Sequence, residues 1–501
     1  MKPDGNLLGI DVGSSSIKVV LLNGESGAVT ASATSPKTEL AIDAPKPGWA
    51  EQDPALWWEH IVAAAAEVKA IAGRAWEAVS AVGITYQMHG LVIIDKAGAV
   101  LRPSIIWCDS RAVEIGEKAF RGIGEKTCLS RLLNSPGNFT ASKLAWVKEN
   151  EPRIFSRIHK FLLPGDWVAF RMTGEACTSP SGLSEGILWD FTSGGRADIV
   201  LDWYKIPADV VPETRPTFSV QGHLTAEAAA ELGLKKGVPV SYRAGDQPNN
   251  AFSLRVLDPG EAATTAGTSG VVYGVAGTPA YDPLSRVNTF VHVSHEEGRP
   301  RFGVLLCVNG TGILNRWVRK LLVGDSGAVS YDQMNAVASQ APVGADGLVI
   351  LPFGNGAERT LENRTVGGSF LNIDFNRHGI PHLLRAAQEG IVYSLNYGVK
   401  IMKGVGIDAR TVRAGYANMF LSPLFREAFA TVTGARVELF STDGAQGAAR
   451  GAGVGAGMYR DLKEAFVGLA AVKTVEPDVS NAAAYQEAYG TWEQALQKSL
   501  S

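Results

Sequence analysis

A chain of 501 residues, 46% of them hydrophobic, exceeds one ordinary domain and has enough apolar material for at least two proper cores, so a disordered chain is excluded. Lys+Arg 47 against Asp+Glu 50 leaves a net charge of -3, without the basic excess of a nucleic-acid binder or of a protein held on an anionic membrane. No run approaches the ~18 apolar residues of a membrane helix, so a small-molecule partner is the expectation.

Met1 to Asn6 passes without an apolar signal core into Leu7-Leu8-Gly9-Ile10, which predicts a cytoplasmic protein. That run delivers Asp11 into the turn Val12-Gly13-Ser14-Ser15-Ser16, and Ile17 to Leu22 is apolar again: strand, tight turn, strand. A carboxylate at a strand end, a glycine that admits close approach and successive hydroxyl and N–H groups make an anion-binding concavity, suited to a phosphate with its metal. An ordinary hairpin whose Ser and Gly residues only satisfy the turn has the same pattern.

Pro47-Gly48-Trp49-Ala50-Glu51-Gln52-Asp53-Pro54 precedes a periodic segment, Trp57 to Ile71, and predicts a helix with Asp53 as N-cap and Pro54 as its first residue. Ala81 to Thr85 reads as a strand ending in Tyr86-Gln87-Met88-His89-Gly90; strand ends are where open sheets bind ligands, although a lone histidine is often structural. In Trp107-Cys108-Asp109-Ser110-Arg111 the charges fit a ligand or an ion pair equally. Leu163-Pro164-Gly165-Asp166-Trp167 and Met172-Thr173-Gly174-Glu175 read as a capped helix and its exit turn. Lys235-Lys236-Gly237 is a turn, and Val238 to Tyr242 a strand whose carboxyl end carries Asp246, either to cap a helix starting near Pro248 or to do chemistry.

Half a chain after the first hairpin, Glu261 to Thr265 leads into Ala266-Gly267-Thr268-Ser269-Gly270 and out through Val271 to Val275. Gly13-Ser14-Ser15 and Gly267-Thr268-Ser269 align as one architecture used twice, as expected of two similar domains that each aim a hairpin at a shared polyphosphate. Gly312 then opens a helical segment, Ile313 to Leu322; Gly347 to Phe353 and Gly356-Ala357-Glu358-Arg359-Thr360 read as scaffold. Arg413-Ala414-Gly415-Tyr416-Ala417-Asn418 precedes an amphipathic helix, Leu421 to Thr433, and Asp443 to Ala449 with Gly451 to Gly457 reads as a tightly packed small-residue helix. There is neither a Walker loop nor a Rossmann fingerprint, and Cys108, Cys128, Cys177 and Cys307 lack paired spacing.

The paired hairpins resemble the FGGY carbohydrate kinases, a branch of the actin-like ATPases, and the resemblance covers nearly the whole chain. It includes the Gly-Trp-x-Glu-Gln-Asp-Pro string, the Trp-x-Asp-x-Arg string at 107–111, Leu-Pro-Phe at 351–353 and a Gly-Glu-Arg-Thr string into which this chain inserts Ala357. Gln-Met-His-Gly at 87–90 resembles the pattern of xylulokinases and close ketose kinases, where glycerol kinases carry an Arg-Glu pair. The resemblance implies two α/β domains of the actin-like, ribonuclease H-like fold, 1–252 on the sugar side and 253–474 on the nucleotide side, with a helical tail at 475–501 and a cleft holding both ligands. It implies transfer of the γ-phosphoryl of ATP to a ketopentose, D-xylulose first, with ribulose, sedoheptulose or glycerol as other acceptors; an actin-like ATPase acting as a sensor would need no base for an alcohol. Asp246 is implied as that base and Asp11 as the holder of Mg²⁺. Met88, His89, Trp107, Asp109, Asp246 and Gln247 are implied to face the sugar, although many xylulokinases have Asn where this chain has Gln247. Gly13, Ser14, Ser15, Lys18, Gly267, Thr268, Ser269, Gly312, Gly415 and Asn418 are implied to hold the nucleotide, although 413–418 keeps fewer glycines than is usual. No nucleic acid or membrane partner is implied, and a homodimer is compatible.

Overall fold

The computed structural model describes residues 5–323 and 329–501; the start read at Met1 to Asp4 and the side chain of Glu358 lie outside the described part. The chain forms two compact units, one of Met1–Arg255, Phe290–Arg301 and Thr442–Leu469, the other of Val256–Thr289, Phe302–Ser441 and Ala470–Ser501.

The first unit is built on β1 (Asn6–Val12), β2 (Ile17–Asn23), β3 (Val29–Ser35), β4 (Val79–Tyr86), β5 (Phe218–His223) and β6 (Pro239–Gly245), ordered β5-β6-β4-β1-β2-β3. β4 runs parallel to β1 and to β6, while β2, β3 and β5 pair antiparallel with their neighbours. In the second unit β7 (Ala262–Ala266), β8 (Gly270–Ala276), β9 (Phe302–Val308), β10 (Thr411–Gly415), β11 (Arg436–Phe440) and β12 (Ala471–Val475), six of the seven strands of their sheet, repeat that scheme in the order β9-β8-β7-β10-β11-β12. Again the three central strands are parallel and the outer ones antiparallel. The repeat read from two glycine-serine turns is therefore a repeat of whole sheets, and the two-domain actin-like fold expected is the one found. One detail differs: the first turn spans four residues, 13–16, between the paired Val12 and Ile17, and the second spans three, 267–269, between Ala266 and Gly270.

The helices that position the site are α1 (Pro54–Ala72), α2 (Thr140–Asn150), α3 (Pro164–Thr173), α4 (Pro180–Glu185), α5 (Asp246–Ser253), α6 (Gly312–Val323), α7 (Tyr331–Ala338), α8 (Pro423–Thr433), α9 (Gly444–Gly455) and α10 (Ala482–Leu500). Asp53 caps α1 as expected, accepting from the Ala55 N–H, and Gly174 ends α3 in the left-handed conformation at φ 76°. Leu8, Ile10 and Val12 share a core with Trp57, Trp58, Ile61 and Val68 of α1. Alternation along β1 turns Gly9 and Asp11 to the other face. That face meets α9, which approaches so closely that a Cβ on Gly9 would fall on the Ala445 carbonyl oxygen and one on Gly83 on that of Ala448. Gly444, Gly447 and Gly451 return the favour from the helix, against Asp11, Ser253 and the Tyr242 ring. Small residues on both partners thus bring the N-terminus of α9 to the end of β1.

Candidate active site

Three adjacent parallel strands end level: Val12 of β1 pairs with Tyr86 of β4, and Tyr86 with Gly245 of β6. Asp11, the Gln87-Met88-His89 turn and Asp246 therefore leave the sheet side by side, and the Gln87 N–H donates to the Val12 carbonyl at 2.9 Å. Asp246 is the first residue of α5; Gly245 takes the cap position and no side-chain capping bond is made, so the helix-capping alternative is not the geometry found. Burial pushes the Asp246 carboxyl up to about 6, against hydrogen bonds donated by the backbone and side chain of Gln247. Asp11 is pushed up to about 7 by burial, then by Asp246 and Asp443, with Lys18 pulling the other way. Asp443 caps α9 through the Gln446 N–H and accepts from Lys18 at 2.8 Å. Asp11 thus feels two further carboxylates and one ammonium at the end of a helix whose N–H groups and dipole favour negative charge.

Met88 is buried and packs, with Glu185, where a side chain on Gly245 would be. His89 adopts φ 62°, and its Nδ1 lies 2.9 Å from the Glu185 carbonyl. A carbonyl only accepts, so Nδ1 is a donor nitrogen of the imidazole ring. Phe139 and Phe290 flank that ring at 4.7 and 5.5 Å. Trp107 is 46% exposed and its Nε1–H donates to Ser14 Oγ at 3.3 Å, bringing it to the first hairpin. Asp109 needs a correction. It is fully buried, and its carboxylate accepts from Arg111 and from the Ala50 N–H at 2.6 Å, so it holds the loop from behind instead of facing a ligand.

In the second unit a cavity of about 350 Å³ brings together Gly267, Thr268, Gly312 and Asn418, four of the residues expected at the nucleotide. Thr311 fixes the hairpin, its hydroxyl donating to the Gly267 carbonyl at 2.8 Å, and the Gly312 N–H donates to the same oxygen at 2.7 Å. Ser269 and Gly415 do not line this cavity. Gly415 ends β10 opposite Phe440.

Several side chains here escape a reading of local pattern. Gln52, part of a string valued only for recognition, accepts from Trp57 and Gln87 and donates to the Ser14 carbonyl at 2.7 Å, tying the first hairpin to the histidine turn. Glu185 is buried with Oε1 unpartnered, and burial raises its pKa well above the ordinary value. Asn335 of α7 lines the second unit's cavity; Gln388 donates to its Oδ1 at 3.0 Å and accepts from Ser422 at 2.7 Å, which leaves Asn335 its NH₂ donors. Local pattern does not give these roles, because most of the partners are distant in the chain.

Sequence profiles of the FGGY family of carbohydrate kinases match residues 6–253 (N-terminal domain) and 262–459 (C-terminal domain). A xylulose kinase of Escherichia coli is 32% identical, covering 98% of this chain and 99% of that protein. An L-xylulose/3-keto-L-gulonate kinase of the same organism is 29% identical, covering 98% and 96%. Among solved structures, a xylulose kinase from Rhodospirillum rubrum superposes with a TM-score of 0.88 at 28% identity, covering 98% of each chain.

Proposed function

This chain belongs to the FGGY family of carbohydrate kinases, and from that membership we propose that it transfers the γ-phosphoryl of ATP to D-xylulose, giving D-xylulose 5-phosphate and ADP. The observation that carries the choice of sugar is the 32% identity to a xylulose kinase over 98% of the chain. The imidazole of His89 supports it, since that ring can hydrogen-bond a polyol hydroxyl.

Asp246 is the base. A hydroxyl attacking phosphorus must lose its proton as the O–P bond forms and the bond to the ADP oxygen breaks, and Asp246, at about 6, is ionised at neutral pH and can take it. In the first unit Met88, His89, Trp107 and Gln247 face the sugar and Gly13, Ser14, Ser15 and Lys18 hold phosphate; in the second unit Gly267, Thr268, Gly312 and Asn418 hold the nucleotide. Mg²⁺ fits the first hairpin. The donor set is hard oxygen, and three carboxylates against the single Lys18 ammonium leave negative charge that a cation would relieve. Asp11 would hold it together with the phosphates, and the ion would supply neutralisation of charge on the transferring group.

A coupled ADP-release assay over D-xylulose, L-xylulose, D-ribulose, sedoheptulose, glycerol and gluconate tests the reading. D-xylulose should show the highest kcat/KM; a higher value for another acceptor replaces the substrate, and ADP release independent of every acceptor removes the sugar-kinase chemistry.

A further inference from the structure

We propose that Lys143 is a positioning residue for the sugar, holding the His89 turn and the Trp107 loop at a fixed separation. The inference rests on the reading that those two segments face the acceptor. Lys143 lies fully buried on α2, and its Nζ donates to the His89 carbonyl at 2.8 Å and to the Ile106 carbonyl at 2.9 Å, one hydrogen bond to each segment.

The surrounding contacts make a bracket of this pair. Three residues before Lys143, the Thr140 hydroxyl donates to the Gly90 carbonyl at 3.2 Å, and the Phe139 ring stands edge-on to the His89 imidazole. Asn138 donates to the Asp109 carbonyl, beyond Trp107 in the second loop. Residues 138–143 thus grip residues 89–90 from one side and 106–109 from the other, and Lys143 alone donates to both. The grip has a strained object: His89 is a non-glycine residue in the left-handed region, a conformation that persists only where neighbours over-determine it. Burial pushes the Lys143 ammonium down to about 7 against the pull of Asp109, so the group is kept in an environment that disfavours its charge. A lysine needed only to fill space is readily replaced by methionine; one that aims two carbonyls is not.

The test is Lys143→Met in the full chain, which keeps the length of the stem and removes both donors. Steady-state kinetics are measured for ATP and for whichever acceptor the wild type takes in the panel above, so that a wrong choice of sugar and a wrong role for Lys143 give different results. The bracket predicts a KM for the sugar at least tenfold higher, with a KM for ATP within twofold of wild type and a smaller change in kcat. An unchanged sugar KM, or equal increases in both KM values, overturns the proposal. Should Lys143→Met fail to fold by circular dichroism, Thr140→Val loosens the same bracket by one bond and is expected to raise the sugar KM at least threefold with the ATP KM unmoved; no split in that variant overturns the proposal equally.

Discussion

Lys18 and Asp443, far apart in the chain, meet in a 2.8 Å ion pair that ties β2 to the N-cap of α9. The pair engages the ammonium that opposes the charge of Asp11, leaving Asp11 beside Asp443 and Asp246 with its proton held to about pH 7. A site that collects negative charge before any ligand arrives is costly to the empty protein and receptive to a cation.

That cost is measurable. The folded-state pKa of Asp11, about 7, lies above its ordinary value of 3.8, so its contribution to stability is complete below about pH 3.8 and is lost as pH rises through 7. At pH 8 the ionised group is a net penalty, and Asp11→Asn should stabilise the ligand-free protein there by roughly 1–2 kcal/mol, a figure discounted for partial exposure. The gain should vanish at pH 4, while turnover at pH 8 is abolished. Thermal melts at the two pH values check this; an equal gain at both would assign the effect to packing.

Gly312 sits so close to the second hairpin that a Cβ there would fall on the Gly267 carbonyl oxygen. Gly312→Ala must displace that turn, so the KM for ATP should rise about tenfold, the ~1.4 kcal/mol of a disturbed contact. The KM for the sugar should stay put. A parallel rise in both would mean a general loss of folding.

Much of this was legible in the chain because the informative features are local. Hairpin turns, the Asp53-Pro54 helix start and Asp246 after an apolar strand are patterns of neighbouring residues, and the family strings supplied the rest. Asp109 misled for the opposite reason: its burial and its bond to Ala50 depend on a segment 59 residues away, and local sequence leaves a ligand and an ion pair equal. Lys143 and Glu185 were silent because their work is done through backbone carbonyls and through burial, neither of which leaves a residue signature. The boundary of α5 shifted too, since Gly245, with no side chain, occupies the cap that Asp246 was weighed for.

In the proposed reading His89, its Nδ1 bonded to the Glu185 carbonyl, holds a sugar hydroxyl. Losing a buried hydrogen bond to a sugar hydroxyl costs roughly 1–3 kcal/mol, so His89→Ala should reduce the ratio of kcat/KM for D-xylulose over D-ribulose at least fivefold, at saturating ATP. An unchanged ratio would return His89 to a structural role.

Asp246→Asn is the most direct test of the account, because it removes proton acceptance while keeping size and the start of α5. At saturating ATP and D-xylulose, kcat should fall at least ~10², the usual loss with a general base, while the Kd for ATP measured by calorimetry stays within a few-fold of wild type. Turnover near the wild-type rate in a variant that binds ATP normally would contradict the account and leave Asp246 as part of the scaffold.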